Sequence, residues 1–532
     1  MAGGRPVRRL AQTRGGCGDD RRRGRPTVSV GRCARSPVRR RARCRRVVQR
    51  PRQGLISLAR RTVSVAESSP LGFQSATTEY DDYRPPVEGT IPAWLSGTLI
   101  RNGPGRFRVG EQRVNHWFDG LAMLRRYSFD DGAVRYTNRF LRSDAYADAE
   151  AGRLTGQFGT DTRGWRRVLD TLRSFGLPEP TDNANVHVAR IDNEYVALTE
   201  APRRVAFAPD TLATRDEFTF DDDLTEHITA AHLVDDPHHE ELIGFATQFG
   251  IQPQYHIYRV PRGSRRRELI TSIDARGPAY IHDCSVTDRH VLLVESPLTL
   301  SVLRAMNPFS EGAIDMLGWE PDRPTRLLVV DRESGELVAE PTFEATFCFH
   351  HVNAFRDGGE IVLDLIEFPD GDIVGALSMA ELDSDGFPDV PDGRLMRYRI
   401  DPTTADLDRT RLYAGGMELP RVPRAAVGRR HRYAYGQATD RDGATGLVKV
   451  DCETGTAQEW WEESVYLEEP IPIQRPGSDA VDDGVVVATA LDATQEQTSL
   501  LVFDAETLTL QARVALPHVE PFGFHGRFFP DE

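Results

Sequence analysis

The hydrophobic positions of this chain fall into short runs, most of them too brief for helices. GTLIRN, AMLRRYSF, EYVALTE, ELIGFAT, HVLLVES, TRLLVVD, EIVLDLIEF, LMRYRI, RYAYG, GLVKVD, GVVVATAL and SLLVFD succeed one another between residues 97 and 504. They are rich in Val, Ile, Leu, Phe and Tyr and are punctuated by Gly, Asp and Pro, the pattern of β-strands separated by turns. The turns include DDG, PRGS, DRESGE, DPTTAD, DCETGT and DAETL. With Asp130, Asp210, Gly263, Asp331, Asp401, Asp451 and Asp504 as turn residues, seven hairpins recur every 50 to 80 residues. Such a repeat predicts a seven-bladed β-propeller, with unrelated hairpins in a β-sandwich as the alternative. Residues 146–180 and 298–320 break the rhythm and predict helical insertions that cap the propeller. Within the second, Leu300, Leu303, Met306 and Phe309 are spaced either for an apolar lip that meets a membrane or for a face that closes the core.

Four histidines keep step with the hairpins. Counted from the preceding turn, His232 lies 22 positions on, His282 19, His350 19 and His525 21. Equal steps in a radial repeat put side chains at equal depth, so the four are candidate ligands of one metal on the axis and favour the propeller. No two form a local ligand pair such as HExxH, and singly each would read as an ordinary buried or surface histidine. His351 faces away from His350 if the segment is a strand, because side chains alternate. His238 and His239, in DDPHHEE, read as solvated, and His116, in HWFDG, as packed structurally. A ligating histidine needs its second ring nitrogen held, usually by a carboxylate. Glu418 and Glu469 lie 17 and 18 residues after their turns, in the two units that lack a histidine. Glu200, closing VALTE, does not share that phase.

Charge divides the chain. Residues 1–66 hold 20 Arg against two Asp, about +18, so a formal net charge of −14 leaves roughly −32 on residues 67–532. The first segment, with Cys17, Cys33 and Cys44, reads as disordered. It is either an extension upstream of a start near Val65 or an arm for nucleic acid or anionic membrane. No apolar stretch follows its arginines, so it is not a secretory signal. In the acidic body Lys449 is the only lysine. That balance predicts a salt-adapted, halophilic source and argues against nucleic acid as a partner. Cys284, Cys348 and Cys452 lack paired spacing, as expected of reduced thiols in a cytoplasmic protein. No run of 18 apolar residues occurs.

HWFDGLAML, DNANV with VALTE, AHLVDD, IHDCSVT, FHHVNAF, ELPR, EEPIPI with VDDGVV, and PFGFHGRF resemble, in this order across residues 80–530, the carotenoid cleavage oxygenase family. The resemblance implies a seven-bladed propeller under a helical dome, with an axial Fe(II) held by four His and backed by three Glu. Carried over by motif, His232, His282, His350 and His525 are the ligands and the residues at which the chemistry occurs. Glu200, Glu418 and Glu469 stand behind them, and Glu200 is supplied by the resemblance alone. Leu233 and Val234 depart from the family's first ligand motif, and Arg356 stands where an acidic residue is common. HWFDGLAMLRRYSF, LRSDAY, TDNANVHV and EPIPIQRPGSDAVDDGVV look closer to the animal-type, retinal-forming branch than to the plant epoxycarotenoid branch.

The activity so implied is a dioxygenase that cuts a C=C bond of a carotenoid into two carbonyls, with β-carotene cleaved at the 15,15′ bond to retinal as the leading substrate. The alternatives are another bond, an apocarotenoid or stilbene, and a non-catalytic propeller with a structural metal. The alkene can supply all the electrons that O2 requires, and no GxGxxG or P-loop for a nucleotide cofactor is found. A lipid-soluble substrate adds to that cytoplasmic reading a peripheral contact with the inner face of the cell membrane. Lacking a carboxylate of its own, His232 is expected to flank the open side of the metal. Phe347, Phe349, Phe355, Phe522 and Phe524 are candidate tunnel walls, although alternation makes Phe349 and Phe524 core residues rather than substrate contacts.

Overall fold

The computed structural model describes residues 70–531 except 155, 157, 159, 161–179, 302–312 and 383–389. The Arg-rich segment therefore lies outside the described residues. Among those described, seven sheets of four or more strands form the blades of a β-propeller. The seven turns anticipated from the sequence are present, each joining the third and fourth strands of its blade counted from the axis. Local chemistry closes them. The Asp331 carboxylate accepts the N–H groups of Glu333 and Ser334, and Asp401 and Asp451 repeat the arrangement with the residues two and three further on. Four residues after each of these aspartates the backbone turns left-handed. Gly335 and Gly455 adopt it freely, whereas Ala405 (φ 59°) carries a Cβ there.

Seven apolar clusters each straddle two neighbouring blades. In one, Leu292 and Leu327 of the fourth blade meet Ile361 and Leu363 of the fifth. Blades covered on both faces have no solvated side, which explains why TRLLVVD is buried throughout rather than alternating. Each such Leu or Val contributes about 1.5–3 kcal/mol by leaving water. The ring closes twice. Val87–Gly89 adds to Leu510–Ala515 on the seventh blade, and Gly526–Pro530 adds to Gly97–Arg106 on the first.

Of the first predicted insertion, Asp144–Glu150 is helical, capped by the Ser143 hydroxyl, and 161–179 lies outside the described residues. The second is not helical at its ends. Leu298–Leu300 and Leu317–Trp319 pair as a two-stranded ribbon, with a 3-10 turn at Ala313–Met316. The alternating apolar residues at each end suit a ribbon closing over the core better than a helix. Leu300 is buried against Met316 and does not form a lip, while Leu303, Met306 and Phe309 fall outside the described residues. Short helices at Asp372–Ala376 and Met379–Leu382, not foreseen, also cover the cavity side.

Candidate metal centre

Most inner strands are irregular where they approach the axis. In the third blade the inner strand is split into Ile228–Thr229 and Val234–Asp236, and His232 lies in the gap. His282 precedes the short strand Ser285–Val286, and His525 precedes Gly526–Pro530. His350 lies within Phe347–Asp357 at a register shift between Cys348 and His351, and Glu418 lies at another shift within Met417–Arg421. A bulge rotates one side chain out of the strand's alternation, and here it turns that side chain toward the axis.

The four histidines meet, their ligand-type atoms lying within 4.8 Å of one another. Three are held from behind through Nδ1, by Glu200 Oε1 at 2.6 Å for His282, Glu418 Oε2 at 2.6 Å for His350 and Glu469 Oε1 at 2.8 Å for His525. A carboxylate accepts, so each Nδ1 donates and each Nε2 keeps its lone pair. His350 Nε2 and His525 Nε2 consequently face each other at 3.3 Å as two acceptors. Among the described residues the buried His232 Nε2 has no hydrogen-bond partner. Converging, unpartnered imidazole lone pairs fit a cation and are costly without one. Burial drives the His232 pKa well below its ordinary value, and the neighbouring imidazoles add to the shift. For His350 burial pulls the same way but the Glu418 charge prevails and raises it, whereas burial prevails at His525 and lowers it to about 3.

A cavity of about 660 Å³ opens onto His282, His350 and His525. Trp117, Phe118, Phe158, Tyr280, Phe368 and Ile373 supply apolar wall. Asn183 and Asn185 also line it, but their amides are occupied in binding the Gly120 carbonyl. Where the cavity reaches exposed residues 440–443 it is bordered by Gln437, Thr439 and Arg441.

Residues 73–530 match the family model for retinal pigment epithelial membrane protein, RPE65. The chain belongs to the RPE65 and carotenoid cleavage oxygenase family. It is 30% identical over 486 residues to apocarotenoid-15,15′-oxygenase of Synechocystis, covering 86% of this chain and 94% of that protein. It is 27% identical over 519 residues to β,β-carotene 15,15′-dioxygenase of Mus musculus, covering 86% and 91% respectively. A solved structure of the cobalt-substituted Synechocystis oxygenase superposes with a TM-score of 0.77 at 28% identity, covering 87% of this chain and 98% of that one. The family is one of metal-dependent oxygenases that cleave carotenoids or apocarotenoids.

Within this oxygenase fold several side chains stand where alternation did not put them. Phe349 and Phe524 line the cavity beside Phe522, since the register shift at His350 and the irregular segment before Gly526 remove the alternation that pointed them inward. Phe347 is instead buried among Tyr280, Phe349 and Phe368. Phe355 packs on His431, Arg397 and Arg430, away from the cavity. His232 is not on the cavity wall either; its ring lies among His187, His282, His350 and His525. His351 turns away from the four, its Nδ1 meeting the Ser285 hydroxyl at 3.0 Å. His116 packs structurally, its Nε2 2.9 Å from the Val374 carbonyl oxygen. His238 and His239 are exposed at their turn, although His239 Nδ1 also meets Asp236. Arg356 pairs with Asp288 through two bonds, a surface contact.

Sequence reasoning passed over three residues beside the centre. The Tyr280 hydroxyl lies 3.0 Å from both oxygens of Glu200. The His187 ring stacks on His525 with centroids 5.5 Å apart. Arg421 binds Glu469. Tyr280 lies two residues before His282 in an irregular segment, where strand alternation gives no signal for it. A second buried group, Asp364, His431 and Cys452, also gathers ligand-type atoms, but Arg397 forks onto both oxygens of Asp364.

Proposed function

We propose that this protein is a non-haem Fe(II) dioxygenase that cleaves a carotenoid double bond into two carbonyl products, with β-carotene cut at the central 15,15′ bond to give retinal. The convergence of four imidazole lone pairs at the wall of a largely apolar cavity carries the reading. His232, His282, His350 and His525 would hold the iron, and neutral ligands leave it its full charge. Bound there, Fe(II) supplies the redox-active centre that couples O2 to the alkene. Glu200, Glu418 and Glu469 fix the tautomer of three rings so that Nε2 faces inward. Trp117, Phe118, Phe349 and Phe524 would hold a rigid polyene beside the histidines and exclude water. Both oxygen atoms end in the two carbonyls, and the alkene provides the electrons.

The experiment is incubation of anaerobically purified, Fe(II)-loaded protein with β-carotene in detergent, followed by oxygen and product identification by mass. Retinal alone supports central cleavage, and apocarotenals of unequal length overturn it. Stoichiometric zinc after purification under iron-replete conditions would favour an inert, structural metal, because closed four-coordinate sites suit zinc.

A second reading, an apocarotenoid cut at the same bond, draws support from the polar rim at Gln437, Thr439 and Arg441 and from the 30% identity to the Synechocystis enzyme. Parallel rates on β-carotene and on an apocarotenal separate the two. The same proposal places the enzyme in the cytoplasm in peripheral contact with a membrane; the fully exposed Ile251 near Phe249, which packs on Leu300 and Met316, supports the membrane contact alone.

A further inference from the structure

We propose that Arg421 is a positioning residue that sets the electronic balance of the axial centre. It holds Glu469 behind His525 and leaves that carboxylate, alone of the three among the described residues, paired with a cation. The inference rests on the four histidines being metal ligands and deepens that reading.

Arg421 Nε donates to Glu469 Oε1 at 2.9 Å, and its Nη2 lies 2.7 Å from the same oxygen. Nη2 also lies 3.2 Å from His187 Nε2 and 3.4 Å from the Gly526 carbonyl oxygen. One guanidinium therefore ties together the carboxylate behind His525, the ring stacked on His525 and the backbone next to it. Glu469 Oε2 is in turn held by the Gly526 N–H at 2.7 Å. Among the described residues the other two carboxylates lack such a partner. Glu200 receives the neutral Tyr280 hydroxyl. Glu418 Oε2 receives the Leu419 N–H at 2.5 Å, and its Oε1 has no partner. Other nearby charges bear on Glu469 less directly than Arg421. Arg101 binds the Glu469 backbone oxygen and pairs with Glu468 at 3.5 Å, and Asp283 accepts the N–H groups of Cys284 and His351.

A carboxylate that draws on an imidazole Nδ1–H enriches Nε2 and strengthens it as a donor to a metal. A guanidinium on the same carboxylate withdraws part of that effect and adds a positive charge in a medium of low dielectric. His525 is thus the weakest donor of the three backed rings, and a trivalent metal is disfavoured relative to a divalent one. Arg421 biases the centre toward the ferrous state.

Full-length wild type, Arg421→Gln and Arg421→Lys are loaded anaerobically with Fe(II). The metal-to-protein ratio is measured, and the ferric/ferrous midpoint is then titrated with mediators that take one electron from each Fe(II). Arg421→Gln is expected to keep its metal while the ferrous-to-ferric ratio at a fixed potential falls about tenfold, equivalent to about 59 mV for one electron. Arg421→Lys, which keeps a charge but not the fork, is expected between the two. Loaded Arg421→Gln with the wild-type midpoint overturns the proposal and leaves the metal reading intact. If Arg421→Gln does not fold, an Arg421→Lys midpoint equal to wild type overturns it. Wild type that takes up no iron overturns the metal reading itself.

Discussion

The axial histidines and the group of Asp364, His431 and Cys452 are both buried, and in each the ligand-type atoms lie within 4.8 Å of one another. They differ in what those atoms are already doing. At the axis the carboxylates engage Nδ1 from outside, so the Nε2 lone pairs point inward; His350 Nε2 and His525 Nε2 lie 3.3 Å apart, and His232 Nε2 has no partner among the described residues. In the second group both oxygens of Asp364 take the Arg397 fork at 2.8 and 2.7 Å, and His431 Nε2 lies 3.0 Å from Asp364. At the axis several lone pairs converge unengaged, whereas in the second group the carboxylate is already taken by the Arg397 fork, although His431 Nε2 beside it makes no aligned hydrogen bond. Free donors, rather than residue types, distinguish a metal site from a structural knot.

Breaking the axial set should have the largest effect. His350→Ala should abolish retention of the metal, measured as metal per chain after desalting, while His351→Ala should retain it; equal loss from both would erase the distinction within that pair. Glu418→Gln should follow, with metal affinity or turnover falling about 10- to 100-fold in a competitive-chelator titration or an activity assay, the usual effect of losing a carboxylate behind a ligand.

The second cluster should respond in stability alone. Asp364→Asn strands the Arg397 guanidinium and should cost about 3 kcal/mol in denaturant unfolding with no change in metal content. Burial works against ionisation of Asp364, but the Arg397 and His431 contacts prevail and hold its pKa below the ordinary value. A carboxyl with a depressed folded pKa contributes stability that is complete above its unfolded pKa and lost as pH falls through the folded one. The deficit of Asp364→Asn should therefore be full at neutral pH and shrink below about pH 4. A loss of metal from this variant would contradict the contrast. The smallest effect belongs to the outer turns, where Ala405→Gly should relieve the left-handed backbone and shift stability by about 0.5 kcal/mol or less, because the freer unfolded chain offsets the gain.

The outer hairpins were legible because what closes them is local. Asp401 reaches N–H groups two and three residues on, and that geometry is encoded in the same few residues that display it. The inner strands were legible only as positions in a repeat. The step from turn to histidine indicated depth, but whether a side chain faces the cavity depends on register shifts such as the one at Cys348 and His351, which come from pairing with a distant strand. Alternation accordingly misjudged Phe349 and Phe524. Leu298–Leu300 was misread for a related reason, since its partner Leu317–Trp319 follows after an intervening segment and neither half is long enough to declare itself a strand.

The sequence by itself determined the repeat, the seven turns, the four histidines in step and, with the family resemblance, the three glutamates, because spacing and turn chemistry are properties of neighbouring residues. Tertiary structure alone decided which imidazole nitrogens converge, that His232 lies off the cavity wall, that Phe355 packs under arginines, and that Arg421 reaches Glu469 across 48 positions of chain. Those outcomes depend on the ring closing. Closure brings the inner edges of seven blades together on one axis, where residues far apart in sequence compete for the same few ångströms.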